Sequence, residues 1–324
     1  MTPFAELLCA AIERAGSPVC VGLDPVHEML PDAVRSAHHE PLEAIRHFGR
    51  GVIDAVAGVV PAIKLQSACY ERWGGRGLDV LSEHAEHASG LGLVVILDAK
   101  RGDIGVSSRH YAHAAKRQHA HAVTVNGYLG LGALDPFLEA GLGVFVLVRT
   151  SNPDGDAVQG ARLEDGRTVA EMMADQVAAY GATRVGASGG ESGEGASHGL
   201  SSVGAVVGAT KHTEARALRA RMPDQVFLIP GYGAQGGTAE DIRAMLRPRA
   251  MVRPASHAPR GGAPRSRAAE SGVLVTASRS VIYATGISGG LTDHVRAAAE
   301  RLAGEIRDVL VVDGEGGGGG GQGV

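Results

Sequence analysis

The stretch Asp98-Ala99-Lys100-Arg101-Gly102-Asp103 sets carboxylates and a lysine at spacings that suit proton chemistry. If the apolar run before it, Leu93–Leu97, is a strand, Asp98 and Lys100 stand two residues apart and share a face. Lys64 lies in another apolar run, Ala62-Ile63-Lys64-Leu65-Gln66. Placed beside the first pair, it completes an alternation of ammonium and carboxylate groups. Such an array keeps each lysine protonated, because a neighbouring carboxylate favours the charged form. A protonated lysine beside a carboxylate is a good proton donor to a developing carbanion. The same spacing also serves a salt-bridge network, and spacing alone does not separate the two.

A second signal is Pro230-Gly231-Tyr232-Gly233-Ala234-Gln235-Gly236-Gly237, followed later by Arg279. Glycines let backbone N–H groups approach an anion, and an arginine adds a charge-assisted, bidentate contact to phosphate oxygens. The plainer alternative is a flexible turn plus a surface arginine. Thr150 and Ser151 suit either hydrogen bonds to a planar polar ring or ordinary turn chemistry. Asp24, ahead of Pro25, suits either a sugar hydroxyl or a cap. His84/His87 and His110/His113 are spaced i,i+3 but have no evident third ligand, so no metal site is expected. Tyr70 and Trp73 read as packing residues.

These groups need a scaffold. Short apolar, β-branched runs recur at Val19–Leu23, Ala62–Leu65, Leu93–Leu97, Ala122–Val125, Val144–Val148, Val203–Val207, Val226–Ile229 and Val273–Thr276. Helix-like stretches alternate with them, among them Pro41–Val56, Ser107–Gln118, Leu131–Ala140, Thr168–Ala179 and Leu291–Val309. Continuous apolar strands alternating with helices imply a parallel sheet covered by helices, and eight such units predict an α/β fold, a single-domain (β/α)8 TIM barrel over residues 1–313. Chemistry on such a barrel sits at the C-terminal ends of the strands. Asp24, Lys64, Asp98, Lys100, Asp103, Ser151 and Arg279 all fall there. Phosphate sites on barrels commonly use the loops after strands seven and eight, which favours the phosphate reading. Residues 186–199 and 247–267 read as surface insertions, and the glycine-rich 314–324 as a disordered tail.

The 324 residues are 44% hydrophobic with a formal net charge of −4, which gives no reason to expect nucleic-acid or membrane partners. Three scattered cysteines, Cys9, Cys20 and Cys69, show neither a disulfide framework nor a zinc spacing. The N-terminus reads as a short amphipathic helix without a secretory leader, and no apolar run is long enough to span a bilayer. A cytoplasmic protein is expected.

The motifs LDAKRGDIG, IPGYGAQGG and VTASRS, supported by VGLDP, AIKLQ, RTSNP and SSVGAVVGAT, occur in order on the expected strands. Together they resemble the orotidine 5′-phosphate decarboxylases, specifically the bacterial type 2 subgroup, over about Phe4 to Leu310. The resemblance implies cofactor-independent decarboxylation of orotidine 5′-monophosphate to UMP, the last step of de novo UMP biosynthesis. It further implies a homodimer with shared active sites. Lys64, Asp98 and Lys100 would come from one subunit, Asp103 and Ser107 from the other. Lys100 would protonate C6 of the pyrimidine, with Asp98 against the substrate carboxylate. Asp24 and Lys64 would contact the ribose, Ser151 the pyrimidine, and Gln235 and Arg279 the phosphate. Ile104 would line the pocket near the departing CO2. Gly127 stands where the family pattern has proline, which predicts a looser loop. Two other readings compete: a metal-dependent barrel decarboxylase acting on a 3-keto sugar phosphate, and a non-catalytic nucleotide-binding barrel.

Overall fold

Each apolar run is buried along nearly its whole length, so each needs cover on both faces; the first, Val19–Leu23, is buried at every position. The computed structural model describes residues 2–183, 199–209, 212–233, 236–249, 266–286 and 289–311. There the runs form strands β1 (Val19–Leu23), β2 (Ala62–Gln66), β3 (Val94–Arg101), β4 (Ala122–Val125), β5 (Gly143–Arg149), β6 (Ser201–Val207), β7 (Gln225–Pro230) and β8 (Val273–Ala277). All pair in parallel in sequence order, and β8 returns to β1 to close a barrel. The expected (β/α)8 architecture is present.

Local signals set the helix ends. Thr168 and Thr238 each form a capping box, with Glu171 and Asp241 three residues on. The stretch Leu131–Ala140, expected as one helix, divides into a 3-10 turn, Leu131–Leu134, and a short helix, Asp135–Glu139. Pro136 stands at the start of the second piece, where its missing N–H is tolerated and cannot extend the first. Gly127 is buried, and a Cβ there would stand about 3 Å from Leu131, Met173 and Val146, so the missing side chain permits a close approach.

The N-terminal ends of the strands are closed by the helix Phe4–Ala15 and by arginines. Phe4 lies over Gly143, where a Cβ would come within 2.1 Å of its ring, and meets Phe145 edge-on at 5.7 Å. The Ala5 N–H donates to Ser202, and Arg14 donates to the Gly92 carbonyl ahead of β3. Arg219 is buried and donates to the carbonyls of Met222, Gln225, Met245 and Gly272, with its guanidinium 3.5 Å from the centre of the Phe227 ring.

Arg247, assigned by composition to a surface insertion, is fully buried. It pairs with Asp224 at 2.6 Å and donates to the Gly199 carbonyl. A carboxylate and a backbone carbonyl at the barrel base draw it inward. Most of both expected insertions and all of the 314–324 tail lie outside the described residues.

If Phe4 plugs the barrel base, Phe4→Ala should lower stability by roughly 3–5 kcal/mol, read as a lower denaturant midpoint with an unchanged m-value. An unchanged midpoint would show that the N-terminal helix does not close the barrel.

Candidate active site

Strands β1, β2 and β3 are adjacent, and their register places Gln66 opposite Asp98 and Gly22 opposite Lys64. The polar side chains that end these strands therefore meet at one mouth. Lys64 Nζ lies 2.8 Å from one Asp98 oxygen and 3.6 Å from Asp24, while Lys100 Nζ reaches the other Asp98 oxygen at 2.6 Å. The result is a line of alternating charge: Asp24, Lys64, Asp98, Lys100. Lys64 and Asp98 are buried, whereas the Lys100 side chain is half exposed to the open mouth.

The Asp98–Lys100 contact does not arise from simple strand alternation. Between Leu97 and Arg101 the β3–β4 ladder shifts register, so four steps on β3 span two on β4. Within this bulge Lys100 takes a left-handed backbone, φ 47°. For a residue with a side chain that conformation costs about 1–2 kcal/mol. Thr124, buried on β4, compensates: its hydroxyl donates to Asp98 at 2.8 Å and accepts the Lys100 N–H at 3.0 Å. Thr124 and Gln66, which donates to Asp98 at 3.4 Å, escape a reading of the charged motif alone. The available signal for Thr124 is one polar residue within the otherwise apolar strand AVTV.

Neighbouring elements shape the Asp24 side. A Cβ at Gly22 would fall 2.0 Å from the Ser278 hydroxyl, so glycine lets the ends of β1 and β8 approach. Tyr283 accepts the Val26 N–H at 2.8 Å and fixes the turn after Asp24. One Asp24 carboxylate oxygen is buried without a hydrogen-bond partner among the described residues. It is 3.6 Å from Lys64, a charge contact and not a hydrogen bond.

Burial alone would lower the Lys64 pKa, but the charges of Asp24 and Asp98 outweigh it and raise the value above that of an ordinary lysine. For Asp98, burial pushes upward, and the two lysines more than reverse it, holding the carboxyl well below its usual range. The Lys64 contribution to stability is complete below the unfolded lysine pKa of about 10.4 and is lost as pH rises through the higher folded value. The Asp98 contribution is complete above about 3.9 and is lost as pH falls through the lower folded value. Between those limits both groups remain charged. Beneath them, burial pushes the Cys20 thiol up to about 12, so it stays protonated.

Asp103 stands apart from this line: its carboxylate accepts the Ile104 N–H, and no bond joins it to Lys64, Asp98 or Lys100 among the described residues. Ile104 is 60% exposed and Ser107 is exposed, so neither is enclosed by this chain. Ser151 follows the end of β5, where a Cβ at Gly208 would lie 2.8–3.0 Å from it. Thr150 is turned away, its N–H and hydroxyl engaged by Gln159. Buried Arg149 pairs with Glu214 and Asp156, fixing this loop to the helix His212–Arg221. Arg279 is exposed at the end of β8 and makes no ion pair among the described residues. Gln235 lies outside the described residues, although Gly231, Gly233 and Gly236 of its loop adopt positive φ.

The histidine pairs have other roles or none visible. His84 is buried, with ring nitrogens 2.9 Å from the Tyr70 hydroxyl and the Arg46 carbonyl, and His87 contacts Asp54. Among the described residues no cluster of three His, Cys, Asp or Glu groups is placed to hold a metal ion.

With the geometry in place, known proteins give an independent comparison. Residues 17–259 match the model of the family described as Orotidine 5'-phosphate decarboxylase / HUMPS family. An orotidine 5'-phosphate decarboxylase of Rhodopirellula baltica is 41% identical over 263 residues, spanning 76% of this chain and 83% of that protein. Its counterpart from Salinispora arenicola is 35% identical over 318 residues, spanning 96% and 99%. The solved structure of Leishmania donovani OMP decarboxylase superposes with a TM-score of 0.69 at 29% identity, covering 95% of this chain and 98% of that one. The chain therefore belongs to the Orotidine 5'-phosphate decarboxylase / HUMPS family.

Proposed function

We propose that the protein decarboxylates orotidine 5′-monophosphate to UMP, completing de novo UMP synthesis. The observation that carries the reading is Asp98 clamped between Lys64 and Lys100 at the mouth of the barrel. Asp98 faces the substrate carboxylate, and Lys100 faces C6. The C6–carboxylate bond breaks heterolytically, CO2 departs, and the electron pair remains on C6. The proton on Lys100 Nζ then transfers to that carbon. No adjacent π system spreads the charge, so positioned ammonium groups supply the stabilisation.

The other contacts follow the remaining chemistry of the substrate. Asp24, whose side chain is partly exposed beside Lys64, and Lys64 hold the ribose hydroxyls. Ser151 hydrogen-bonds the pyrimidine, and Ile104 lines the pocket beside the departing CO2. Arg279 binds the phosphate with Gln235. Phosphate binding far from the breaking bond contributes energy that positions the reacting groups. Both Asp98 oxygens already accept from ammonium groups, a poor donor set for a divalent cation, which favours this reading over a metal-dependent sugar-phosphate decarboxylase.

The active unit in this proposal is a homodimer. Asp103 and Ser107 of the partner subunit complete each site, which accounts for their separation from the charged line in one chain. Ile104, Val106, Tyr111, Tyr128 and Leu129 form exposed apolar surface on two adjoining segments beside the mouth, suited to burial against a second copy. The proposed location is the cytoplasm; no described helix is long and apolar enough to cross a membrane.

Lys100→Ala should reduce turnover by at least about 10³-fold while UMP still binds; wild-type-like turnover refutes its role. Arg279→Ala should weaken UMP binding by roughly 10- to 100-fold and leave uridine binding nearly unchanged. Equal weakening of both removes the phosphate assignment. Loss of orotidylate absorbance in the presence of EDTA tests the activity itself, and chelator-sensitive turnover would favour the metal-dependent alternative.

A further inference from the structure

At the barrel end opposite the charged mouth, a cavity of about 630 Å³ opens between the helices His212–Arg221 and Ala239–Met245. Its polar lining is unusual for a chain of net negative charge. Arg216, Arg219, Arg243, Arg247, Arg249 and Arg267 line it, and Glu240 is the one carboxylate among the lining residues. Asp224 lies behind, paired with Arg247.

Two of these arginines are structural. Arg219 serves four backbone carbonyls, and Arg247 serves Asp224 and the Gly199 carbonyl. Burial, joined by the charges of Arg247 and Arg267, pushes Arg219 down to about 9. Arg216, Arg243 and Arg249 are different. None forms an ion pair among the described residues, and the Arg243 Nε is buried without a hydrogen-bond partner. The sequence continuing from Arg249 to Arg267 contains no Asp or Glu, so it offers no compensating charge.

We propose that this cavity is a binding site for a small polyanion carrying two or three linked phosphates. Like charges held together in a concave site repel one another, and a multivalent anion relieves that repulsion. Guanidinium forks match phosphate oxygens bidentately. A monophosphate carries too little charge to satisfy three uncompensated guanidiniums as well as the buried pair behind them. The volume falls within the range of about 300–1,000 Å³ usual for small-molecule sites. A nucleic acid would instead favour an extended basic stripe. The site is separate from the proposed phosphate contact at Arg279: Arg219 bonds the carbonyls of Gln225, which opens β7, and Gly272, just before β8, whereas Arg279 follows the far end of β8.

The test is calorimetric titration of the full chain with sodium tripolyphosphate at about 150 mM salt, where weak surface attraction is screened. An Arg279→Ala background removes the proposed phosphate contact at the opposite end. The expected result is one saturable site per chain, retained in that background. Replacing both Arg216 and Arg243 by alanine should weaken it by at least about tenfold, as loss of two charge-assisted contacts requires. Citrate should bind at least about tenfold less tightly, because its carboxylates do not reproduce the linked phosphate geometry. In the otherwise native chain, the double substitution should leave basal turnover unchanged, since neither residue belongs to the proposed active site. Absence of saturable binding up to about 1 mM, a contact too weak for a built site, overturns the proposal. So does equal affinity in the doubly substituted chain. Binding of an RNA oligonucleotide that tripolyphosphate cannot displace would assign the surface to nucleic acid and likewise overturn it.

Discussion

A carboxylate placed in a poorly hydrated pocket is expensive to keep ionised unless positive charge and hydrogen-bond donors surround it. Asp98 meets that requirement with Lys64, Lys100, Thr124 and Gln66, all within hydrogen-bonding reach. Much of the local structure follows from satisfying it. The ladder between β3 and β4 loses register, Lys100 adopts a left-handed backbone, and a buried threonine on the next strand stabilises that geometry. The same contacts that stabilise Asp98 leave the Lys100 side chain at the open mouth. Strain is placed where an ammonium group must be aimed, and a rigid barrel holds it there.

The two ends of the barrel divide the work. At the C-terminal ends of the strands, charges converge and close packing occurs through glycine, as at Gly22 beneath Ser278 and Gly208 beside Ser151. At the N-terminal ends, Phe4 and the buried arginines supply packing and donors to backbone carbonyls. This division matches the general rule for such barrels, in which one face performs chemistry and the other maintains stability. The cationic cavity departs from it, because structural arginines there adjoin others whose charge the described residues leave uncompensated.

The strands were legible because a strand buried on both faces writes its apolar run directly into the sequence, and β1 and β4 have the boundaries that pattern predicts. The charged motif was legible for a similar reason: Lys64 interrupts one apolar run, Asp98 and Lys100 follow another, and the three meet in space. The bulge was not. A pattern of alternate faces assumes an even ladder, and nothing in LDAKRGD announces that Lys100 must leave it. Arg247 was misplaced because composition sees an Arg- and Pro-rich run, whereas its partners, Asp224 and the Gly199 carbonyl, are distant in sequence. Asp103, which the resemblance expects from the partner subunit, stands apart from the line within one chain, and the second carboxylate of that line is Asp24.

The central claim is electrostatic: Asp98 supplies charge that keeps the buried Lys64 ammonium charged. Its most direct test is an NMR titration of the Lys64 side chain in the native protein and in Asp98→Asn, which preserves shape and removes the charge. In the native protein the ammonium should remain protonated above the ordinary lysine value of about 10.4; in the variant, with Asp24 the one carboxylate left beside it, its pKa should fall. Identical titration of Lys64 in the two proteins would contradict the account.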